Sequence, residues 1–183
     1  MTYHADTLFI VTGAPGAGKT TLLDAAARAG TVVGKEAARA VIQSQAAIDG
    51  PAVQWREPAM FGELMLDRDI QSWQMLRASG GAALCDRGIP DLVAFGRMLK
   101  LPNDEHFRRA AMLYRYNPIV FFAPPWPEIF VADAERIEDL EHAQRIYGPM
   151  RDVYEELGYR IIDLPKLPVA QRLAFVKDVI ADA

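Results

Sequence analysis

The chain has a single cysteine, Cys85, among its 183 residues. One cysteine cannot form an internal disulfide, so the disulfide-stapled secreted folds are excluded and a reducing compartment is favoured. Cys85 closes the apolar run 82–85, and we expect its thiol to pack in the core rather than to react. Histidines are also few, and His4, His106 and His142 are scattered with no cysteine partner, which argues against a zinc site.

Long hydrophobic runs and an excess of basic charge are missing as well. No stretch approaches the roughly 18 apolar residues of a membrane span, and His4 and Asp6 stand where a signal peptide would carry basic residues. The formal net charge is −4, which argues against a general nucleic-acid binder. We therefore expect a cytoplasmic protein with neither membrane nor nucleic acid as a partner. A hydrophobic content of 51% excludes disorder, and the length predicts one domain over residues 1–183.

Short apolar runs bounded by turn residues alternate with segments of helical period. This alternation is typical of an α/β domain with a parallel sheet. We predict strands at 7–12, 31–34, 82–85, 119–123 and 159–164. We predict helices at 20–29, 36–48, 57–79, 91–99, 105–114, 133–157 and 169–181. The sixth helix is expected to break at Gly148-Pro149, because proline lacks the backbone N–H that an inner helical position donates.

A glycine-rich motif joins the first predicted strand to the first helix. It matches the phosphate-binding pattern G-x-x-x-x-G-K-[ST] in the strand–loop–helix context that this pattern requires. Glycines let successive backbone N–H groups converge on phosphate oxygens, and the helix N-terminus adds partial positive charge. Lys19 is predicted to reach the β- and γ-phosphates, and the Thr20 hydroxyl to bind Mg²⁺. The residues expected to bind a nucleoside triphosphate are Gly13, Ala14, Pro15, Gly16, Ala17, Gly18, Lys19, Thr20 and Thr21.

Acidic residues follow two of the predicted strands. In parallel sheets ligands bind beyond the carboxyl ends of the strands, where Asp86 and Arg87 follow the third strand and Glu36 follows the second. Asp86 is a candidate for holding Mg²⁺ or for accepting a proton, and Arg87 for binding a substrate phosphate or carboxylate. Glu36 is a second candidate base. The alternatives are a structural Asp86–Arg87 pair and a Glu36 that offsets the dipole of its helix.

A charged segment follows the fourth strand and its Pro-rich turn. In small-molecule kinases this position holds a lid whose arginines stabilise the charge of the transferring phosphoryl group. Arg136 is the first candidate for that role and Arg145 the second, and charges on a solvated helix face are the alternative. The chain has no Asn-Lys-x-Asp motif of a signalling GTPase, and it is too short for the lid domain of a ring-forming ATPase.

Five motifs together carry a family resemblance: GAPGAGKTTLL, KEAAR, DRGIPDLVAF, APPWPEIF with DAER, and GYRIIDLP. They resemble the "AAA domain" family of small bacterial ATPases, and the resemblance covers nearly the whole chain. It implies a kinase-like phosphate-loop fold, three-layered α/β/α, with a helical lid and five parallel strands in the order 2-3-1-4-5. It also implies ATP or GTP binding. A more distant similarity to deoxynucleoside kinases implies that Glu36 is the base and that Asp86 and Arg87 orient the substrate, although those kinases usually carry Glu-Arg-Ser at 86–88.

These observations favour a Mg²⁺-dependent kinase that transfers the γ-phosphoryl group of ATP, or of GTP, to a small acceptor. Lys19 and Thr20 would hold the phosphates and the metal, Asp86 and Glu36 compete for the role of base, and Arg87 and Arg136 would neutralise charge. The acceptor is expected between helices 57–79 and 91–99, near Trp55, Arg56 and Phe61. The alternative is a nucleotide-dependent switch that recruits a protein partner. The motifs leave both a monomer and a homodimer open.

Overall fold

The computed structural model describes residues 2–130 and 140–183. Its strands are β1 (Tyr3–Ala5), β2 (Leu8–Gly13), β3 (Val32–Gly34), β4 (Ala83–Asp86), β5 (Tyr114–Tyr116), β6 (Ile119–Ala123) and β7 (Arg160–Asp163). Five of them form a wholly parallel sheet in the order β3-β4-β2-β6-β7. Numbered along the chain, these five strands lie in the order 2-3-1-4-5, as the family resemblance implies.

Seven α-helices connect or flank the strands of the described chain: α1 (Lys19–Arg28), α2 (Ala37–Ala47), α3 (Pro58–Ser79), α4 (Ile89–Leu99), α5 (Asp104–Leu113), α6 (Leu140–Glu156) and α7 (Val169–Ala181). A short 3₁₀ turn occupies Pro127–Ile129. Each predicted strand and helix is present with ends shifted by at most two residues, apart from the sixth helix, whose predicted start at residue 133 lies outside the described residues. Among the described residues, no helix is both long enough and apolar enough to cross a membrane.

The central strands bury side chains on both faces, which makes the fold three-layered. Along β2, Leu8 and Ile10 point into one apolar cluster while Phe9 and Val11 point into the other. The first cluster contains the inner faces of α2, α3, α4 and α5, together with most of that of α6. The second contains those of α1 and α7. This pattern explains why β2 and β6 are continuous apolar runs rather than alternating ones. Cys85 is buried in the first cluster, as predicted, and burial raises the pKa of its thiol to about 12.

Two features differ from the sequence-based expectations. The first is that α6 continues through Gly148 and Pro149, so the predicted break is wrong. Ile146, Met150 and Tyr154 follow one another at helical spacing and are all buried. Burial of this stripe offsets the roughly 3 kcal/mol that proline costs inside a helix. The second is an unpredicted two-stranded parallel sheet of β1 and β5, which are three residues long each and too short to leave a clear pattern.

Parallel pairing brings the carboxyl ends of all five central strands to one edge of the sheet. Gly13 lies opposite Ala123, Val11 opposite Asp86, and Gly34 opposite Cys85. The phosphate loop, Glu36 and the Asp86–Arg87 pair therefore converge at this edge, which is where ligands bind in open parallel sheets.

Candidate active site

The phosphate loop begins with a glycine that no other residue can replace without strain. Gly13 has φ +113°, and a Cβ there would lie 2.3 Å from the carbonyl oxygen of Ala123. The next residue, Ala14, donates its N–H to that same oxygen at 2.9 Å. Gly18 also adopts a left-handed conformation, with φ 73°, immediately before α1 begins at Lys19. The loop is thus fastened to β6 at its start and leads directly into the N-terminus of α1.

Lys19 is buried beneath this loop. Its Nζ donates hydrogen bonds to the carbonyl oxygens of Gly13 at 3.2 Å and Ala14 at 2.7 Å. Burial, reinforced by the nearby positive charge of Arg87, lowers the pKa of Lys19 to about 7, against the opposing effect of nearby carboxylates. The carbonyl groups of the phosphate loop therefore fix the position of the Lys19 side chain. Negative charge added beside Lys19 would favour its protonated form.

A cavity of about 280 Å³ opens above the loop. The predicted loop residues that line it are Pro15, Gly16, Gly18, Lys19, Thr20 and Thr21, whereas Ala14 and Ala17 are buried behind them. Glu36 and Asp86 line it from the neighbouring strand ends, as predicted. Arg39 lines it too and was not among the predicted residues. Its signal in the sequence is its position one helical turn after Glu36.

Thr20 and Asp86 offer a hydroxyl and a carboxylate to the same cavity. Both are hard oxygen donors, and Mg²⁺ is commonly held by one or two protein oxygens together with phosphate oxygens and water. The donor set therefore fits Mg²⁺. Within residues 2–130 and 140–183, no group of three or more His, Cys, Asp or Glu side chains could hold a metal ion by itself.

The Asp86 carboxyl sits at the end of β4 among other carboxylates. Burial, and secondarily the negative charge of Glu36, raise its pKa to about 6, while Lys19 and Arg87 pull it down. The following residue, Arg87, has φ 67°, and its N–H donates to the carbonyl oxygen of Val11 at 3.0 Å. This local turn sends the two consecutive side chains to different places, because Asp86 lines the cavity above the loop and Arg87 lines a second cavity.

The Arg87 guanidinium is held between two carboxylates. Its Nε donates to Glu36 Oε1 at 3.3 Å and its Nη1 to Asp91 Oδ1 at 3.0 Å. All three side chains are largely buried, with 10–16% of their surface exposed. Glu36 is one of the three residues predicted at the strand ends, whereas Asp91, in the first turn of α4, was not predicted.

Asp91 is the hub of a buried hydrogen-bond network. Its Oδ1 also accepts a hydrogen bond from Thr12 Oγ1 at 2.5 Å. Its Oδ2 accepts from the N–H of Gly88 at 3.0 Å and from the hydroxyl of Tyr154 at 2.5 Å. Asp91 thereby joins the residue preceding the phosphate loop to α4, to α6 and to Arg87. An acid three residues after the helix N-cap is common for local capping alone, so the sequence carries no signal for this wider role.

The second cavity has a volume of about 620 Å³ and lies against α2, α3, α4 and α6. Its walls are mostly apolar, and the polar groups lining it include Glu36, Asp69, Arg87 and Asp91. Trp55 and Phe61 line it as predicted. Arg56 does not share that role: its Nη1 donates to exposed Asp49 at 3.1 Å. The reason is local, because residues 54–56 form a turn in which Trp55 lines the cavity while Arg56 contacts Asp49.

The predicted lid arginines have different outcomes. Arg136 lies outside the described residues. Arg145, on α6, is exposed and lines the larger cavity together with His142, and its Nη2 lies 3.2 Å from His142 Nδ1. A guanidinium of α6 therefore lines this cavity, as does Glu36 immediately before α2.

The turn after β6 covers the phosphate loop from the other side. The Phe130 ring packs so closely on Gly16 that a Cβ there would lie 2.4 Å from a ring carbon. Ile129 lines the smaller cavity. Buried Arg172 of α7 donates through Nη1 to the carbonyl oxygens of Ala17 and Gly18, both at 3.3 Å, and its guanidinium lies 5.7 Å from the centre of the Trp126 ring. This support of the loop by α7 was not predicted, since an arginine inside a helix looks like an ordinary surface charge.

Two solved structures share this fold. A deoxyadenosine kinase from M. mycoides, in complex with dCMP and dCDP, aligns over 96% of this chain and 100% of its own with a TM-score of 0.67 and 14% identity. The NadR protein in complex with NR aligns over 97% of this chain with a TM-score of 0.65 and 17% identity. This chain spans about half the length of NadR, 51% of it. At these identities the likeness establishes the fold alone.

Sequence comparison defines the family. No curated protein matches this chain. A family model described as "AAA domain" matches residues 8–172, a range that includes the phosphate loop, Glu36, Asp86, Arg87 and Arg172. With nine-tenths of its length matched and a kinase-like phosphate-loop fold, the chain belongs to the AAA domain family.

Proposed function

We propose that the protein is a Mg²⁺-dependent phosphotransferase that moves the γ-phosphoryl group of ATP, or of GTP, to a small acceptor. One observation carries the proposal. Glu36 lines both the cavity above the phosphate loop and the larger, mostly apolar cavity beside it. A carboxylate shared by two adjoining cavities is suited to a reaction between a phosphate donor in one and a hydroxyl-bearing acceptor in the other.

The donor side consists of the phosphate loop and its surroundings. The loop N–H groups, Lys19 and the N-terminus of α1 bind the β- and γ-phosphates, with Thr21 beside them. Thr20 and Asp86 would hold Mg²⁺, which would neutralise negative charge on the phosphate oxygens. Asp86 suits this role better than that of base, because it lines only the smaller cavity.

Glu36 is the base in this mechanism. The acceptor hydroxyl donates a hydrogen bond to the Glu36 carboxylate, and its oxygen attacks the γ-phosphorus. The bond between that phosphorus and the β–γ bridging oxygen breaks, and the nucleoside diphosphate leaves with the electron pair. The hydroxyl proton passes to Glu36 as the new oxygen–phosphorus bond forms. Positioning of the two reactants supplies most of the rate in such reactions, and general base catalysis typically adds 10²–10⁴-fold.

The arginines around the larger cavity balance negative charge. Arg87 is fixed by Glu36 and Asp91 on one wall, and Arg145 lines the cavity from α6. Arg87 would orient the acceptor, or bind its phosphate if it carries one. Arg145 would approach the transferring group, and Arg136 would join it from the charged segment. Bidentate guanidinium groups suit this task because their donors match phosphate oxygens in geometry.

Ligand-induced stabilisation tests the proposal. ATP, GTP and their diphosphates are titrated with Mg²⁺ against the wild-type protein, Lys19→Ala, and Lys177→Ala as a matched control, since Lys177 is exposed on α7. A hundredfold excess over Kd stabilises by about 2.7 kcal/mol, which corresponds to roughly 5–11 °C in Tm for a domain of this size. We expect that shift for wild type and Lys177→Ala, and its loss in Lys19→Ala.

Acceptors are then added beside the best nucleotide. A further rise in Tm with one acceptor, together with nucleotide consumption that matches acceptor in amount, supports the phosphotransferase. Slow hydrolysis that no acceptor accelerates contradicts it and favours a nucleotide switch. An equal nucleotide response in Lys19→Ala and wild type contradicts nucleotide binding at the loop.

A further inference from the structure

Asp69 is a carboxyl group in an apolar part of the larger cavity. It lies on α3 in register with Phe61 and Met65, at successive intervals of four residues, and all three line the cavity. The first two positions of this stripe carry buried apolar side chains, and the third carries an acid. A leucine or methionine would continue the apolar stripe, so the acid departs from what packing alone requires.

Within residues 2–130 and 140–183 the Asp69 carboxyl has no hydrogen bond or ion pair, whereas the nearby carboxylates of Glu36 and Asp91 both accept hydrogen bonds from Arg87. Burial raises the pKa of Asp69 well above its usual range. The negative charges of Asp91, Glu36 and Asp86 raise it further, and only Arg87 opposes them. These surroundings therefore favour the neutral carboxylic acid form of Asp69, which has one O–H to donate and one carbonyl oxygen to accept.

Asp69 is partly buried in the wall of a ligand-sized cavity. A polar group withdrawn from water without a partner costs free energy, so this position suits a hydrogen-bond partner from outside the chain. The neighbouring walls restrict what that partner is. Phe61 and Phe95 meet edge to face with their ring centres 5.9 Å apart, and both line the cavity with Met65. Aromatic rings and methionine sulfur make their most favourable contacts with flat, polarisable rings.

We propose that Asp69 determines which acceptor the protein takes, by forming a paired hydrogen bond with the edge of a flat nitrogen heterocycle that carries an N–H donor beside a lone pair. The ring lies against Phe61, Met65 and Phe95, and a hydroxyl attached to it reaches Glu36. This inference rests on the proposed function for the phosphoryl-transfer step. The binding of the heterocycle at Asp69 does not depend on transfer and is tested separately. The acceptor class is thus a heterocycle bearing a hydroxylated side group, of which nucleosides are the available probes.

Two pairs of probes and two variants test the inference. The probes are cytidine against its analogue without the 4-amino group, and adenosine against purine riboside, each also as the 2′-deoxy form. The variants are Asp69→Leu, which removes both hydrogen bonds, and Asp69→Asn, whose amide keeps a donor and an acceptor. Binding is measured by calorimetry without nucleotide, and phosphoryl transfer is measured separately.

In at least one pair we expect wild type to bind the amino-bearing probe at least tenfold more tightly than its partner. Asp69→Leu removes that preference and weakens binding of the amino-bearing probe by 10- to 100-fold, because it removes two hydrogen bonds and each one without a charge changes affinity by roughly tenfold. Asp69→Asn keeps a donor and an acceptor, and its affinity stays within about threefold of wild type. Without ligand, Asp69→Leu raises Tm by about 2–4 °C, because a group kept for binding destabilises the free protein.

The inference is overturned if no probe binds, if both members of each pair bind equally, or if Asp69→Leu binds as wild type does. It is also overturned if Asp69→Leu lowers Tm, which would indicate a structural role, or if Asp69→Asn loses as much affinity as Asp69→Leu, which would indicate an ionised carboxylate. Asp69-dependent binding without transfer to any probe would instead contradict the proposed phosphotransferase and leave the binding site intact.

Discussion

Replacing Asp91 by asparagine should destabilise the protein strongly, because this carboxylate satisfies four donors in a buried network. Thr12, the Arg87 guanidinium, the N–H of Gly88 and the Tyr154 hydroxyl all donate to it. In the variant one of the two oxygens becomes an NH₂ group, which cannot accept the hydrogen bonds that reach that atom. The negative charge that Asp91 places beside Arg87 is also lost, while the ion pair between Arg87 and Glu36 remains.

The size of the effect follows from these contacts. Hydrogen bonds to charged groups contribute about 1.5–3 kcal/mol each, and breaking a buried ion pair from one side costs about 3–5 kcal/mol. Asparagine retains part of the network, so we expect Asp91→Asn to lower the free energy of unfolding by about 2–4 kcal/mol. This corresponds to a fall in Tm of roughly 4–16 °C. Tyr154→Phe removes one donor of the four and is expected to cost about 1–2 kcal/mol.

Thermal and urea unfolding of the ligand-free protein measure these changes. The matched control is Glu156→Gln, since Glu156 makes a two-pronged ion pair with Arg97 at 2.6 and 2.9 Å on the surface rather than in the interior. Exposed pairs contribute little, so this variant should leave Tm nearly unchanged. If Asp91→Asn and Glu156→Gln lowered Tm equally, or if neither did, the assignment of Asp91 as the hub of the site would be refuted.

Three further predictions follow from single contacts. Gly13→Ala introduces a Cβ 2.3 Å from the Ala123 oxygen at a φ of +113°, so it should lower the free energy of unfolding by about 2 kcal/mol or more and abolish nucleotide binding. In the control Gly81→Ala the new Cβ meets nothing within 4 Å, so unfolding and nucleotide titration should give wild-type results. Asp69→Asn should raise Tm at pH 7 but much less at pH 4. The pKa of Asp69 is higher in the folded than in the unfolded protein, so folding is favoured at low pH, where both states are protonated, and that contribution is lost as pH rises through the folded-state pKa. Asparagine does not titrate and therefore avoids this loss. Arg172→Met removes two hydrogen bonds to the loop carbonyls and should weaken nucleotide binding by about tenfold in calorimetry, while a loss smaller than twofold would show that α7 does not support the loop.

The sheet and the phosphate loop were predictable because their signals are local. Each central strand is a short apolar run closed by a turn residue, and the loop is defined by eight consecutive positions with fixed chemical tasks. Glu36, Asp86 and Arg87 were predictable by one further rule, that parallel strands bring their carboxyl ends to the same edge. Each of the three stands one or two positions after a predicted strand.

The helical residues of the site were not predictable in the same way. Asp69, Asp91 and Arg172 lie within helical segments, where an isolated charge has the same appearance in the sequence whether it faces solvent or a cavity. Their roles depend on how helices pack against one another, and for Asp91 on contacts with Tyr154, 63 residues away. The continuous α6 was missed for a related reason, since burial of Ile146, Met150 and Tyr154 outweighs the local effect of Pro149.

Phosphoryl transfer from ATP labelled at the γ-position, with the acceptor panel present, tests the central claim most directly. Wild type should place the label on an acceptor. Glu36→Gln should retain ATP binding and transfer the label at least 100-fold more slowly, while Glu141→Gln, a change at an exposed residue of α6, should transfer it normally. Label released solely as inorganic phosphate, at a rate that no acceptor changes and that Glu36→Gln leaves intact, would contradict the account.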